Sequence, residues 1–230
     1  MRVRAAGVLC AAVALLVAGC GGGSSSNGEA KKAPEQVLKD AKAAALAATA
    51  VHVVGHIVSG GSPLGIDMTL NRGKGGKGTL TESGVSFQLI RIGDKAFVKG
   101  SDAFYEKFAG SAAALLKGKW LEGSATKGEF ATLGQLTDLG KLLDQVSSPK
   151  NHGKLANDGE TTYKGQKVDV LRDTSDGSKL YVAATGKPYP VAIVGGKSGQ
   201  KGTVTFGGWN ETVQLVAPSG AIDLAKLGTG

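Results

Sequence analysis

A chain of 230 residues with 41% apolar and 20% charged residues and a net charge of +8 has the composition of one or two folded domains, not of a disordered polyelectrolyte. Its 37 glycines follow no Gly-X-Y period, so collagen is excluded and many turns are expected. Only two cysteines, Cys10 and Cys20, are present, which excludes a multi-cysteine zinc site or a disulfide scaffold, and 5% aromatics argue against an aromatic platform for nucleic acid.

The first element is a leader. Arg2 and Arg4 make a basic start, and Ala5 to Ala18 is an uncharged, mostly apolar run. That run is shorter than the ~20 residues a spanning helix needs and fits the core of a signal peptide. It ends in Val17, Ala18, Gly19 and Cys20, an aliphatic residue and two small ones ahead of a cysteine, which resembles a bacterial lipobox. The resemblance implies cleavage before Cys20 and a diacylglyceryl group on its sulfur, hence a cell-membrane, lipid-anchored protein on the extracytoplasmic face. Residues 1–19 are therefore assigned to the signal peptide and 20–30 to the acylated cysteine and a Gly/Ser tether. Residues 31–230 make a single domain.

Lys31 to Ala50 reads as a helix with Pro34 and Glu35 in its first turn and Val37, Leu38, Ala41, Ala45 and Ala48 on one side. Strand patterns follow. Val51 to Ser59 is almost continuously apolar, Leu64, Ile66, Met68 and Leu70 alternate with polar or small residues, and Lys77 to Thr81, Val85 to Ile92 and Ala96 to Lys99 continue the series. Ser83-Gly84 and Gly93-Asp94 are hairpin connections. Ser101 or Asp102 caps a helix carrying Phe104, Phe108, Ala112 and Leu115 or Leu116. A second helix runs from Phe130 to Val146 with Leu133, Leu136, Leu139, Leu142 or Leu143, and Val146 on one side, and Gly118 to Leu121 is an extended link. Strands resume at Lys154 to Glu160, Thr161 to Tyr163, Val168 to Arg172, Leu180 to Ala184, Val191 to Val194, Gly202 to Phe206 and Thr212 to Val216. Ten or eleven short strands joined by hairpins, with helices segregated from them, predict an α+β fold with antiparallel pairing.

Chemical motifs are few. His52 and His56 stand four residues apart, but on a strand that separates the rings by about 13 Å, too far for one metal. Gly73, Gly75 and Gly78 have dinucleotide-fingerprint spacing, yet the strand-like Thr79-Leu80-Thr81 follows where a helix is required, so they read as a hairpin. Gly196-Lys197-Ser198 lacks the first glycine of a phosphate loop. Asp173 and Asp176 sit in turn contexts. The loose clusters Arg72, Lys74, Lys77, then Lys117, Lys119, then Lys197, Lys201 read as a solvated face, with anionic head groups as the functional alternative. No catalytic residue, metal ligand or cofactor site is assigned, and nucleic acid is a poor partner for an exported, anchored chain.

The order of elements and several phrases are similar to a known group: Leu89 to Lys99 (LIRIGDKAFVK), Gly118-Lys119-Trp120, Leu180 to Pro190 (LYVAATGKPYP), and Val204-Thr205-Phe206 ahead of Trp209-Asn210. Over residues 35–224 the chain resembles actinobacterial lipoproteins of the LppX/LprG-like group and, more distantly, the LolA/LolB lipoprotein carriers. The resemblance implies a strongly curved antiparallel sheet, an unclosed β-barrel, with helices over its concave face and acyl chains held between them. It also implies a ligand cavity lined by Leu64, Ile66, Met68, Leu70, Phe87 and Leu89 and lidded by Phe104, Phe108, Leu133 and Leu136. The expected protein is a monomeric, non-enzymatic carrier or holder of a lipid or glycolipid. The competing expectations are a module with a filled core that docks on envelope proteins, and an exported hydrolase with an unrecognised carboxylate pair.

Overall fold

The computed structural model describes residues 25–59, 61–141, 144, 152–196 and 201–227. Its centre is one twelve-stranded sheet, large, curved and unclosed. The first half is a meander: β1 (Ala50–Ser59), β2 (Ser62–Asn71), β3 (Gly75–Glu82), β4 (Val85–Ile92), β5 (Lys95–Gly100) and β6 (Leu121–Ser124). The second half is another: β7 (Leu155–Tyr163), β8 (Gln166–Asp173), β9 (Lys179–Ala183), β10 (Pro190–Val194) and β11 (Lys201–Gly207). The halves join where β1 pairs with β11, Val53 opposite Phe206 and Gly55 opposite Val204. These pairings are all antiparallel. The two-residue β12 (Ile222–Asp223) adds to β6 in parallel, so the sheet is mixed.

The α+β reading and the curved, unclosed sheet hold, with differences in detail. The two strands expected between Lys154 and Tyr163 are one, β7. Leu121, expected in an extended link, opens β6, and Thr212 to Val216 joins no strand. That segment is a strap. Asn71 donates its amide to Val213 O (2.6 Å) and accepts from Val213 N, Lys77 Nζ reaches Gln214 O, and Ile222 N bonds Trp120 O. At Val213 and Gln214 its backbone groups are satisfied by side chains instead of a ladder. The Ser83-Gly84 hairpin is as expected, with φ of 49° and 82°, the pair of left-handed residues a type I′ turn requires.

The helices are shorter than the periodicity predicts. Helix α1 spans Pro34–Ala47, with Pro34 in its first turn. Val37, Ala41, Ala45 and Ala48 are at most 1% exposed. Val37 and Ala41 pack on Leu171 and Val182 of the second half-sheet, and Ala45 belongs to the cluster on the first. A stripe of alanines lets the helix axis approach the sheet closely enough to serve both. Helix α2 (Asp102–Phe108) is capped by Ser101, whose hydroxyl accepts from Phe104 N. It does not run on to Leu116: Gly110 takes φ +52°, and the chain restarts as α3 (Ala113–Leu116). The helix expected from Phe130 to Val146 is divided as well. Helix α4 covers Ala131–Gln135, and Thr137 turns its hydroxyl back onto Gly134 O (2.7 Å). Asp138 then caps a further helical segment from residue 139 by accepting from Lys141 N. Leu142, Leu143 and Val146 lie outside the described residues.

The packed body begins earlier than residue 31. Asn27 N bonds Ala184 O and its side-chain amide bonds Ala183 O, both at 2.8 Å. The Asn157 amide reaches Lys32 O at 3.1 Å. Glu29, in the turn Glu29–Lys31, is only 3% exposed.

Candidate functional site

Strand register sets the inner face of the first half-sheet. One line across it runs Val53, Met68, Gly78, Leu89, Val98 and Leu121. The next runs Gly55, Ile66, Leu80, Phe87 and Gly100. A third runs Val51, Leu70, Gly76, Arg91, Ala96 and Gly123, and the glycines of the three lines are where neighbours lean in. A Cβ on Gly76 would meet Leu70 Cδ2 at 2.8 Å, and one on Gly78 would meet Met68 Sδ at 2.7 Å. The Phe104 ring lies against Gly100 and the Phe130 ring against Gly123, so each helix puts an aromatic ring where the sheet has no side chain.

Helix α2 is fixed by Tyr105, which is 1% exposed. Its hydroxyl donates to Lys119 O (2.6 Å) and accepts from Gly100 N (3.0 Å), tying the end of β5 to the approach to β6. Replacing Tyr105 by phenylalanine leaves a buried N–H and a carbonyl without partners. The expected cost is about 1–3 kcal/mol, and a urea midpoint equal to the parent's would refute the assignment. Beside it Phe104 meets Phe87 at 5.4 Å and Phe108 at 4.9 Å between ring centroids.

Eight of the ten residues expected to line a cavity fall in one apolar cluster. They divide into two kinds. Met68, Leu70 and Leu89 are sealed, at most 1% exposed, while Ile66, Phe87, Phe104, Leu133 and Leu136 pack around them and stay partly accessible. Leu64 and Phe108 are outside the cluster. Leu64 lies half-buried between Ile57 and Glu82 in the strand register, and Phe108 is 61% exposed with Lys107 Nζ over its ring. The sequence reading missed Tyr105, Phe130, Val204, Phe206 and Trp209. Alternation along Val204-Thr205-Phe206 signals an inner face, but nothing local tells which strand it joins. Cys20 and its motif Val17, Ala18 and Gly19 lie outside the described residues, as does Lys197.

The other motifs resolve into structure. His52 and His56 share the outer face of β1, where His52 Nε2 meets Asp67 Oδ1 at 2.7 Å and His56 lies over Gly65. Among the described residues no three His, Cys, Asp or Glu side chains are placed to hold a metal. Gly73 and Gly75, with φ of +70° and +119°, form the β2–β3 turn. Asp173 accepts from the Ser175 hydroxyl and from Gly153 N and Ser175 N, and these bonds, the hydroxyl's first, hold its carboxyl below the usual range. Asp176 accepts from Ser178 N. Both carboxylates shape turns.

No family model matches the chain, and no curated protein matches it. Solved structures do. LprF from Mycobacterium bovis is similar over 85% of this chain and all of its own, at 16% identity and a TM-score of 0.54. The Mycobacterium tuberculosis lipoprotein LppX is similar over 80% of this chain and 98% of its own, at 17% identity and a TM-score of 0.48. The likeness to LprF bears out the fold that the resemblance read from the sequence implies.

Proposed function

We propose that the protein is a lipoprotein anchored through diacylglyceryl-Cys20 on the extracytoplasmic face of the cytoplasmic membrane, where it holds or carries a lipid or glycolipid ligand. The acyl chain lies between the inner face of the first half-sheet and the helices above it. The observation that carries this reading is the ring of partly accessible apolar side chains, Ile66, Phe87, Phe104, Leu133 and Leu136, around a sealed floor. Each acyl methylene buried there contributes about 0.8 kcal/mol. The covering helices are one or two turns long and interrupted at Gly110 and at residues 136–138, so parting them disrupts few backbone hydrogen bonds. A second reading, a filled-core module that docks on envelope proteins, draws on Met68, which occupies the space beside Gly78.

Native mass spectrometry of full-length protein purified from the membranes of its own host separates the two. Bound lipid is expected in the parent. Ala113→Trp, on the inner side of α3 at 8% exposure, is expected to lose it with melting temperature held or raised, because the indole takes the chain's place. A parent without lipid, destabilised by the tryptophan by about 1–3 kcal/mol, identifies a packed core. Cys20→Ala is expected to leave the membrane fraction or remain uncleaved, and a membrane-bound, acylated product would sink the anchor.

A further inference from the structure

The outer face of the first half-sheet carries a groove of 330 Å³, at the low end for small-ligand sites. The side chains of Asp67, Thr69, Lys77, Thr79, Gln88 and Ile90 line it, all on the face opposite those of Met68 and Leu89. Asp67, Thr79, Gln88 and Lys99 stand in one row across four strands. Trp120 closes the row one residue ahead of Leu121, which faces the core. From β2 to Trp120 are four strand-to-strand steps, about 19 Å along the sheet.

Trp120 is unlike the chain's other tryptophan. Trp209 packs on the core, stacks on Tyr189 at 4.6 Å and donates its indole N–H to Pro190 O. Trp120 is half-buried outside the core cluster, and its ring stacks on no other aromatic among the described residues. Neither its N–H nor the side chains of Thr69, Thr79 and Gln88 hydrogen-bond to protein among those residues. Asp67 gives one oxygen to His52 and keeps the other, and Lys77 is engaged by Gln214 O. An aromatic plate therefore ends a floor of unpartnered hydroxyls, an amide and a carboxylate oxygen, with Ile90 as its apolar patch and Lys99 between Gln88 and the indole.

We infer that this groove binds a neutral saccharide of at least two pyranose rings, one ring stacking on Trp120 while hydroxyls of the chain bond Gln88, Thr79 and Asp67. A pyranose has an apolar C–H face for the indole and hydroxyls that both donate and accept. A hydrocarbon chain would gain contact with Ile90 and Trp120 but leave the side chains of Asp67, Thr69, Thr79 and Gln88 stripped of water and without partners. Charges of both signs border the groove, the Asp67 carboxylate at one end and the lysines Lys77 and Lys99 beside Gln88, so a neutral ligand fits it better than an anion. The site is independent of the ligand proposed for the inner face, because it lies on the other side of the sheet.

Saturation-transfer NMR on the mature protein with maltose, cellobiose and α-1,6-mannobiose at millimolar concentration tests it. At least one is expected to receive saturation at its ring C–H protons and to shift the Trp120 indole N–H resonance but not that of Trp209. Trp120→Ala and Gln88→Ala are each expected to weaken the interaction at least tenfold, and an unmoved Trp209 resonance shows that the fold is intact. Gln88 lies on the exposed outer face, so that variant stands if the tryptophan variant fails to fold. The inference is overturned by no transfer to any of the three sugars, by affinity unchanged in the variants, or by displacement of the sugar by inorganic phosphate.

Discussion

Asp169→Asn is expected to stabilise the protein by about 1–3 kcal/mol at pH 7.5 and to have almost no effect near pH 4. Asp169 is fully buried, and the Val170 N–H and the Asn157 amide lie near its carboxyl without making a well-formed hydrogen bond to either oxygen. Burial first, and then the negative charges of Glu29 and Glu160, push its carboxyl above the ordinary range. Glu29 is itself 3% exposed, with Oε2 unpartnered. A carboxyl whose folded value is raised binds its proton more tightly in the folded state. The native protein is thus penalised above the folded value, and the penalty disappears as the pH falls below the unfolded value of about 3.9. Asp40, Asp158 and Asp173, whose values are lowered by partners, act with the opposite sign and weaken the parent in acid. The difference between parent and variant at each pH cancels them. Urea midpoints at several pH values decide the matter, and a gain that does not shrink in acid would contradict the assignment.

The largest loss is expected from Gly78→Ala. A Cβ there would land on the Asp67 carbonyl oxygen, 2.6 Å from Met68 Cα and 2.7 Å from its sulfur. The sulfur can move, but the backbone of a central strand cannot move without disturbing the β2–β3 ladder. Overpacking of this kind costs about 1–3 kcal/mol and more where the obstacle is main chain. In a chain of this size each kcal/mol lowers the melting temperature by about 2–4 °C. Gly207 is the internal control. Its Cβ would meet nothing within 4 Å, so alanine there is expected to be neutral or slightly stabilising. Equal melting temperatures for the two variants would show that close approach at Gly78 does not limit the fold.

Much of the inner face was legible because its signal is local. Leu64, Ile66, Met68 and Leu70 alternate, Ser83-Gly84 announces its turn, and the periodicity of α1 marks its buried side. What escaped depends on distant chain. Val168 to Arg172 reads as a strand, but nothing in it shows that α1 covers the Asp169 and Leu171 face or that Val168 and Val170 are buried as well. The pairing of β1 with β11 joins residues more than 140 positions apart, which no pattern in either strand specifies. The breaks at Gly110 and Thr137 escaped because the apolar spacing continues across them, Phe104, Phe108 and Ala112 at the first and Leu133, Leu136 and Leu139 at the second. Of the apolar site, the residues were legible but their division into floor and rim was not, since it depends on which glycine each large side chain overhangs.

An open sheet keeps two edges, and here neither is a straight ladder. One ends in the two residues of β12, followed at once by the helical turn Leu224–Leu227. The other, β7, is bent by a bulge between Asn157 and Glu160, with Gly159 at φ +83° and the exposed charges of Asp158 and Glu160 on either side of it. Short, bulged and charged edges are poor templates for a strand from another molecule. Copies crowded together on one surface thus lack the flat border along which curved sheets polymerise, and the barrel can stay open without becoming a seed for aggregation.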